Sequence, residues 1–82
     1  MRYTIQNIIS KNGILKPFHQ SLIGCQCYPI IVAIGKSALI EYFPLDEPEH
    51  LHRLTTTPVV RITDDGDRGE IETENTIYIL VR

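Results

Sequence analysis

The chain has 82 residues, of which 43% are hydrophobic and 22% charged, with a formal net charge of −2. That length holds one domain with a single small core, residues 1–82, and the composition excludes wholesale disorder. The eight Lys and Arg are scattered along the chain, which argues against the basic patch that binding to phosphate backbones needs, so direct nucleic-acid binding is not expected. No run approaches the ~18 apolar residues of a membrane span. Residues 1–6 lack the apolar core and cleavage site of a secretory leader. Cys25 and Cys27, one residue apart, are too few to staple a small fold. A reducing cytoplasm, away from any membrane, is the expected setting.

Tyr3 to Ser10 reads as a strand with Tyr3, Ile5 and Ile9 sharing one face. Asn12-Gly13 is the dipeptide of a type I′ turn and predicts a hairpin into a short second strand at Ile14 and Leu15. Pro17 would interrupt that ladder, having no N–H to donate. Pro17 to Ile23 fits two turns of helix, with proline at the first position, Gly24 beyond the end, and Phe18 and Leu22 four apart. A loop fits those residues almost as well.

Tyr28 to Ile34 is apolar on both faces, and Gly35-Lys36 turns the chain into Ala38 to Phe43, whose Ala38, Ile40 and Tyr42 look inward. Pro44 to Glu49 is a polar loop. Leu51 to Thr57 resumes as a strand, with Leu51, Arg53 and Thr55 opposite His52, Leu54 and Thr56. Pro58 is expected to end or bend it. Val59 to Thr63 forms the next strand, followed by the acidic turn Asp64 to Gly69. In Glu70 to Glu74 the glutamates alternate with Ile71 and Thr73, which puts the carboxylates on one face. Asn75-Thr76 turns the chain into Ile77 to Val81, again apolar on both faces. Seven short strands with at most one short helix predict an all-β protein, a small antiparallel barrel or sandwich of SH3-like size.

Two strands apolar on both faces ask for more cover than so short a chain supplies, and an uncovered apolar face is unusual on a soluble monomer. Homo-oligomerisation is therefore expected, through Ile30, Val32, Ile34, Ile77, Ile79 and Val81.

Gly35-Lys36-Ser37 has the end of a phosphate-binding loop, but Ile30 stands where that loop needs glycine and a strand follows it, so it reads as a turn. Cys25 and Cys27 with His50 and His52 hold the ligand types of a zinc site on i, i+2 spacing. Their plainer reading is two buried thiols and two surface histidines, and no cofactor is expected. The run Asp64 to Glu70 does not keep the glycine and glutamate spacing of a calcium loop, and it reads as an Asp- and Gly-rich turn. Glu70, Glu72 and Glu74 are too exposed for acid–base work and suit charge pairing with Arg61 or a basic partner surface. Combinations of Ser21, Ser37, Cys25, His19 and Asp46 resemble hydrolase triads only on paper, lacking a nucleophile turn. No enzymatic activity is expected.

Leu54-Thr55-Thr56-Thr57-Pro58-Val59, followed by Ile71 to Leu80 with its Thr-x-Asn-Thr-x-Tyr-x-Leu hairpin, resembles the endings of short bacterial and phage accessory proteins. The likeness covers about the last 30 residues. It implies a small phage- or mobile-element-encoded protein acting against host defence. With the acidic face, the expected function is stoichiometric inhibition of a protein target with a basic surface, through Glu70, Glu72, Glu74, Asp64, Asp65 and Asp67. The alternative is an oligomeric sponge for a small anionic nucleotide, held by Lys36, Arg53, Arg61 or Arg68 with Tyr28, Tyr42 or Tyr78 stacking. A zinc-stabilised interaction module is the third reading.

Overall fold

The structure is a computed structural model that describes residues 2–82; Met1, where the leader reading begins, lies outside them. Six strands and one short helix follow one another: β1 (Tyr3–Ser10), α1 (Pro17–Leu22), β2 (Gln26–Ile31), β3 (Ser37–Phe43), β4 (His52–Asp64), β5 (Arg68–Thr73) and β6 (Thr76–Val81). Each strand pairs antiparallel with the next, and β6 returns to β1, so the sheet closes into a barrel. Closure pairs most of the strand edges that a small open sheet would expose, leaving free edge, among the described residues, along the far half of β2 and the far half of β4.

The barrel interior is filled by alternate residues, as the period of a strand requires. Ile5, Ile8, Ala38, Ile40, Tyr42, Leu54, Val59, Ile71, Tyr78 and Leu80 make the core, joined by Cys25 and Cys27 and by Leu22 from α1. The inward set expected from β3 is all there, with Ala38, Ile40 and Tyr42 buried. In β5, Ile71 and Thr73 point in while Glu70 and Glu72 stay on the outer face.

Three expectations are corrected. Ile14 and Leu15 form no strand: Gly13 adopts φ 82, and its N–H donates to the Ser10 carbonyl at 3.2 Å. Asn12 keeps a negative φ, so no type I′ hairpin forms and the chain passes into α1. On β1, a register shift between Ile5 and Asn7 makes Ile5 and Ile8 the inward pair and leaves Ile9 exposed. The strands expected on either side of Pro58 are one, because β4 runs straight through it. There it changes partner: Pro58 lies opposite Ser37 at the end of the β3 ladder, and Val59 opens the ladder with β5. At that corner the missing N–H is not needed, and the Pro58 carbonyl accepts the Glu74 N–H at 3.2 Å.

The seam of the barrel decides where a site can form. β1 pairs with β2 over only two positions, Tyr3 with Cys27 and Thr4 with Gln26. Beyond them, Gly24 (φ 94) and Cys25 continue the seam, Gly24 donating to the Ile5 carbonyl and Cys25 accepting from the Ile5 N–H, both at 2.8 Å. Leu22 closes the wall there. At the other end of β2, no β1 residue lies beside Tyr28 to Ile31, which is where Pro29 is tolerated.

Candidate functional site

Beyond the short β1–β2 seam the barrel stays open. In β4 the register pairs Ile62 with Ile71, and cross-strand partners share a face, so Ile62 points toward the interior. Yet Ile62 is 38% exposed while Ile71 is 4% exposed. An inward side chain that reaches water marks a mouth. A cleft of about 150 Å³ opens there, with an apolar floor of Tyr3, Pro29, Val32, Ile62, Ile71 and Leu80 and with Thr63, Asp64 and Glu70 on its rim. Thr63, Asp64 and Glu70 also line a shallower hollow of about 370 Å³ with Asp65 and Arg68.

Apolar side chains extend outward from this cleft. Ile30, between Pro29 and the outward Ile31, is the extra residue of a bulge and is 51% exposed. Ile31, Ile34 and Val60 are exposed as well, and Ile34 forms an isolated bridge with Val59 beside the start of the mouth.

The rim is built by the β4–β5 turn. Asp64 Oδ1 accepts the Gly66 N–H at 2.8 Å, and Asp65 Oδ1 accepts the N–H groups of Asp67 (3.2 Å) and Arg68 (2.8 Å). Gly66, at φ 97, takes the left-handed conformation that closes this turn. Among the described residues, the ion pair made by Asp64, Asp65, Asp67 or Glu70 is that of Glu70 with Arg68, and Arg82 lies near enough to feel Asp64 and Asp67. The Arg68 guanidinium lies 3.5 Å from Glu70, and the Arg82 N–H donates to the Asp67 carbonyl at 2.9 Å. The Arg82 guanidinium leans over the Tyr3 ring at 5.5 Å. The turn keeps an excess of negative charge.

Of the acidic face expected from the sequence, the three aspartates and Glu70 thus gather at the mouth. Glu72 lies farther along the outer face, 2.6 Å from the Lys11 ammonium and 3.7 Å from the Arg61 guanidinium. The Lys11 hydrogen bond holds its carboxyl below the usual carboxylate range. Glu74 stands apart in the exposed β5–β6 turn.

The nucleotide-site residues do not converge. Arg53 pairs with Glu41 at 3.3 Å on the β3–β4 face, while Arg61 and Arg68 serve Glu72 and Glu70. Tyr42 and Tyr78 are buried in the core, Tyr28 stacks edge-on with Phe43 under Arg2, and Lys36 sits exposed in the β2–β3 turn. The zinc constellation does not form either. Cys25 and Cys27 are fully buried and free, whereas His50 and His52 are exposed. Among the described residues no three His, Cys, Asp or Glu side chains are grouped to hold a metal. Burial, followed by the neighbouring Cys25, pushes the Cys27 thiol up to about 12, which keeps it protonated and unreactive. Of the triad combinations, Ser21 Oγ donates to the Phe18 carbonyl at 2.6 Å and His19 meets the Tyr78 hydroxyl at 3.4 Å, so neither faces the other's chemistry.

The expected assembly residues divide. Ile79 is buried on the outer face between Asn7 and Glu70, and Ile77 and Val81 are half-buried, so β6 finds its cover within the protomer. Ile30 and Ile34 are exposed, and Val32 lies in the cleft. The mouth itself was not legible in the sequence. Its signal was the doubly apolar run Tyr28 to Ile34, which the pattern assigned to a fully covered strand. Comparison with known proteins finds no matching family model, curated protein or solved structure.

Proposed function

We propose that the protein is a non-enzymatic binding module whose barrel mouth receives an apolar and basic segment of a protein partner. One observation carries this: Ile62 points inward beside Ile71 yet stays open to water, in a cleft whose rim is Asp64 and Glu70. The chemistry selects the occupant. An aliphatic side chain in the cleft would displace water from Ile62 and Val32, worth about 25 cal/mol per Å² buried. A neighbouring Lys or Arg would meet the unbalanced aspartates of the β4–β5 turn, which raises association rate and selects against acidic partners. Val60 to Asp64 has β5 on one side and, past the Ile34–Val59 bridge, no strand among the described residues on the other, so an extended segment can add to that edge. The likeness of the chain's ending to phage accessory proteins suggests the setting, stoichiometric inhibition of a host defence protein.

The test is Ile62→Asp together with Asp64→Lys/Asp65→Lys, each assayed for binding a defined peptide of alternating leucine and lysine by calorimetry. Both variants should lose binding, while a glutamate version of the peptide should not bind the parent. Equal binding of the lysine and glutamate peptides would refute the charge selection. Sedimentation of the free protein examines the rival occupant. A mass that rises with concentration, and is restored to one protomer by Ile62→Asp, would assign the mouth to a second copy and overturn the proposal.

A further inference from the structure

The opposite end of the β5–β6 ribbon carries a second site of different chemistry. There the end of β1, the loop into α1, the β4 corner and the β5–β6 turn surround a pocket of about 200 Å³. Its polar lining is Ser10, Asn12, Lys16, His19, Thr57, Asn75 and Thr76, and Ile14 forms one lip. No carboxylate is among these residues.

We propose that this pocket binds the oxyanion group of a small ligand, a phosphate or a carboxylate, with the body of the ligand resting on Ile14.

The donors are available for it. Ser10 Oγ donates to Asn12 Oδ1 at 2.8 Å, which orients the Asn12 side chain and leaves its amide N–H groups unspent. The turn that carries Asn75 is anchored, because the Asn75 carbonyl accepts the Lys11 N–H at 2.9 Å. His19 is held from behind by the Tyr78 hydroxyl at 3.4 Å from Nε2, and its ring stands edge-on to that of Tyr78 at 6.0 Å. Its other ring nitrogen is then left for a ligand. Lys16 makes no ion pair among the described residues, unlike Lys11, Arg53, Arg61 and Arg68. Its charge reaches His19, whose pKa is lowered first by burial and then by Lys16. An anion held between Lys16 and His19, at the edge of a pocket without a carboxylate, offsets the repulsion that Lys16 exerts on a protonated His19. Ile14 is 80% exposed, which an apolar ligand body would reduce.

The experiment titrates the whole chain with inorganic phosphate, acetate and adenosine monophosphate, following backbone amides and the His19 imidazole by NMR, with chloride matched for ionic strength. Saturable phosphate or acetate shifts at Asn12, Lys16, His19, Asn75 and Thr76 are expected, the better anion identifying the oxyanion class. Bound phosphate should raise the His19 pKa, since the groups facing that ring, Lys16 and Tyr78, offer no negative charge at neutral pH. Lys16→Ala, an exposed residue, should weaken binding roughly tenfold, whereas Ile62→Asp at the mouth should leave it unchanged. Adenosine monophosphate should bind more tightly than phosphate, and Ile14→Ser should abolish that gain. Shifts that chloride reproduces, or that survive Lys16→Ala unweakened, would overturn the proposal.

Discussion

Thr73 is wholly buried, and its hydroxyl closes the β5–β6 turn twice over, donating to the Thr76 carbonyl at 3.1 Å and accepting the Thr76 N–H at 3.2 Å. Thr73→Val keeps the shape and removes both bonds, leaving a buried N–H without its partner. It should cost about 1–3 kcal/mol, read as a lower urea midpoint at an unchanged slope; an unmoved midpoint would contradict that role. His19 gives the pH dependence its sign. Burial and Lys16 lower its pKa from 6.5, so as the pH falls the unfolded chain takes up the proton first. Its contribution to stability is complete above 6.5 and lost as the pH falls from 6.5 through the folded value. His19→Gln should flatten the stability profile in that window, measured by denaturation at a series of pH values. Glu72, held below 4.5, produces a separate loss only in more acid solution. Alternation already placed Thr73 on the face opposite the glutamates and the glutamate row beside Arg61, because both follow from strand period and neighbouring strands; the structure gives Arg61 to Glu72. The Lys11–Glu72 pair depends on β1 meeting β6, and no local pattern announces that closure.

At the scale of the element, bulges are what the local pattern misses. Between Ile5 and Asn7, Pro29 and Ile31, and Val59 and Arg61 the register shifts by a residue. A one-residue shift moves every later side chain to the other face. The extra residue at each place is Gln6, Ile30 or Val60, and none is of a type that marks a bulge. That is why the inward residue near the end of β1 is Ile8 and not Ile9. Ile8→Ala should cost about 2–5 kcal/mol and Ile9→Ala under about 1 kcal/mol; thermal or urea denaturation of the pair checks the register, and the reverse order would refute it. Strand positions other than Ile14 and Leu15, and the loop at Pro44 to Glu49, were legible because Pro, Gly and period-two alternation act locally, whereas Pro17 to Ile23 read almost equally as helix or loop. Pro58 misled because whether a strand can pass through proline depends on which ladder lies on each side.

For the whole molecule, the two doubly apolar runs meet different fates. Barrel closure sandwiches β6 between β1 and β5, whose outer-face side chains, Glu70 and Glu72 among them, flank Ile77 and Ile79. Long polar side chains cover apolar neighbours with their stems while keeping their charges in water. The run from Tyr28 to Ile34 has no such neighbour on the β1 side, so Pro29 and Val32 line an open cleft and Ile30, Ile31 and Ile34 remain exposed. Composition and pattern foretold an apolar surplus in so small a chain; where it surfaces depends on how far β1 and β2 stay paired. The barrel therefore has two dissimilar ends, an apolar mouth under an acidic turn and a polar pocket beside Lys16 and His19. The most direct measurement is an amide and methyl NMR titration of the protein with the leucine–lysine peptide. Saturable shifts should concentrate on Val32, Ile62, Ile71 and Leu80 and disappear in Ile62→Asp, whereas shifts centred elsewhere, or none at millimolar peptide, would contradict the mouth as the binding site.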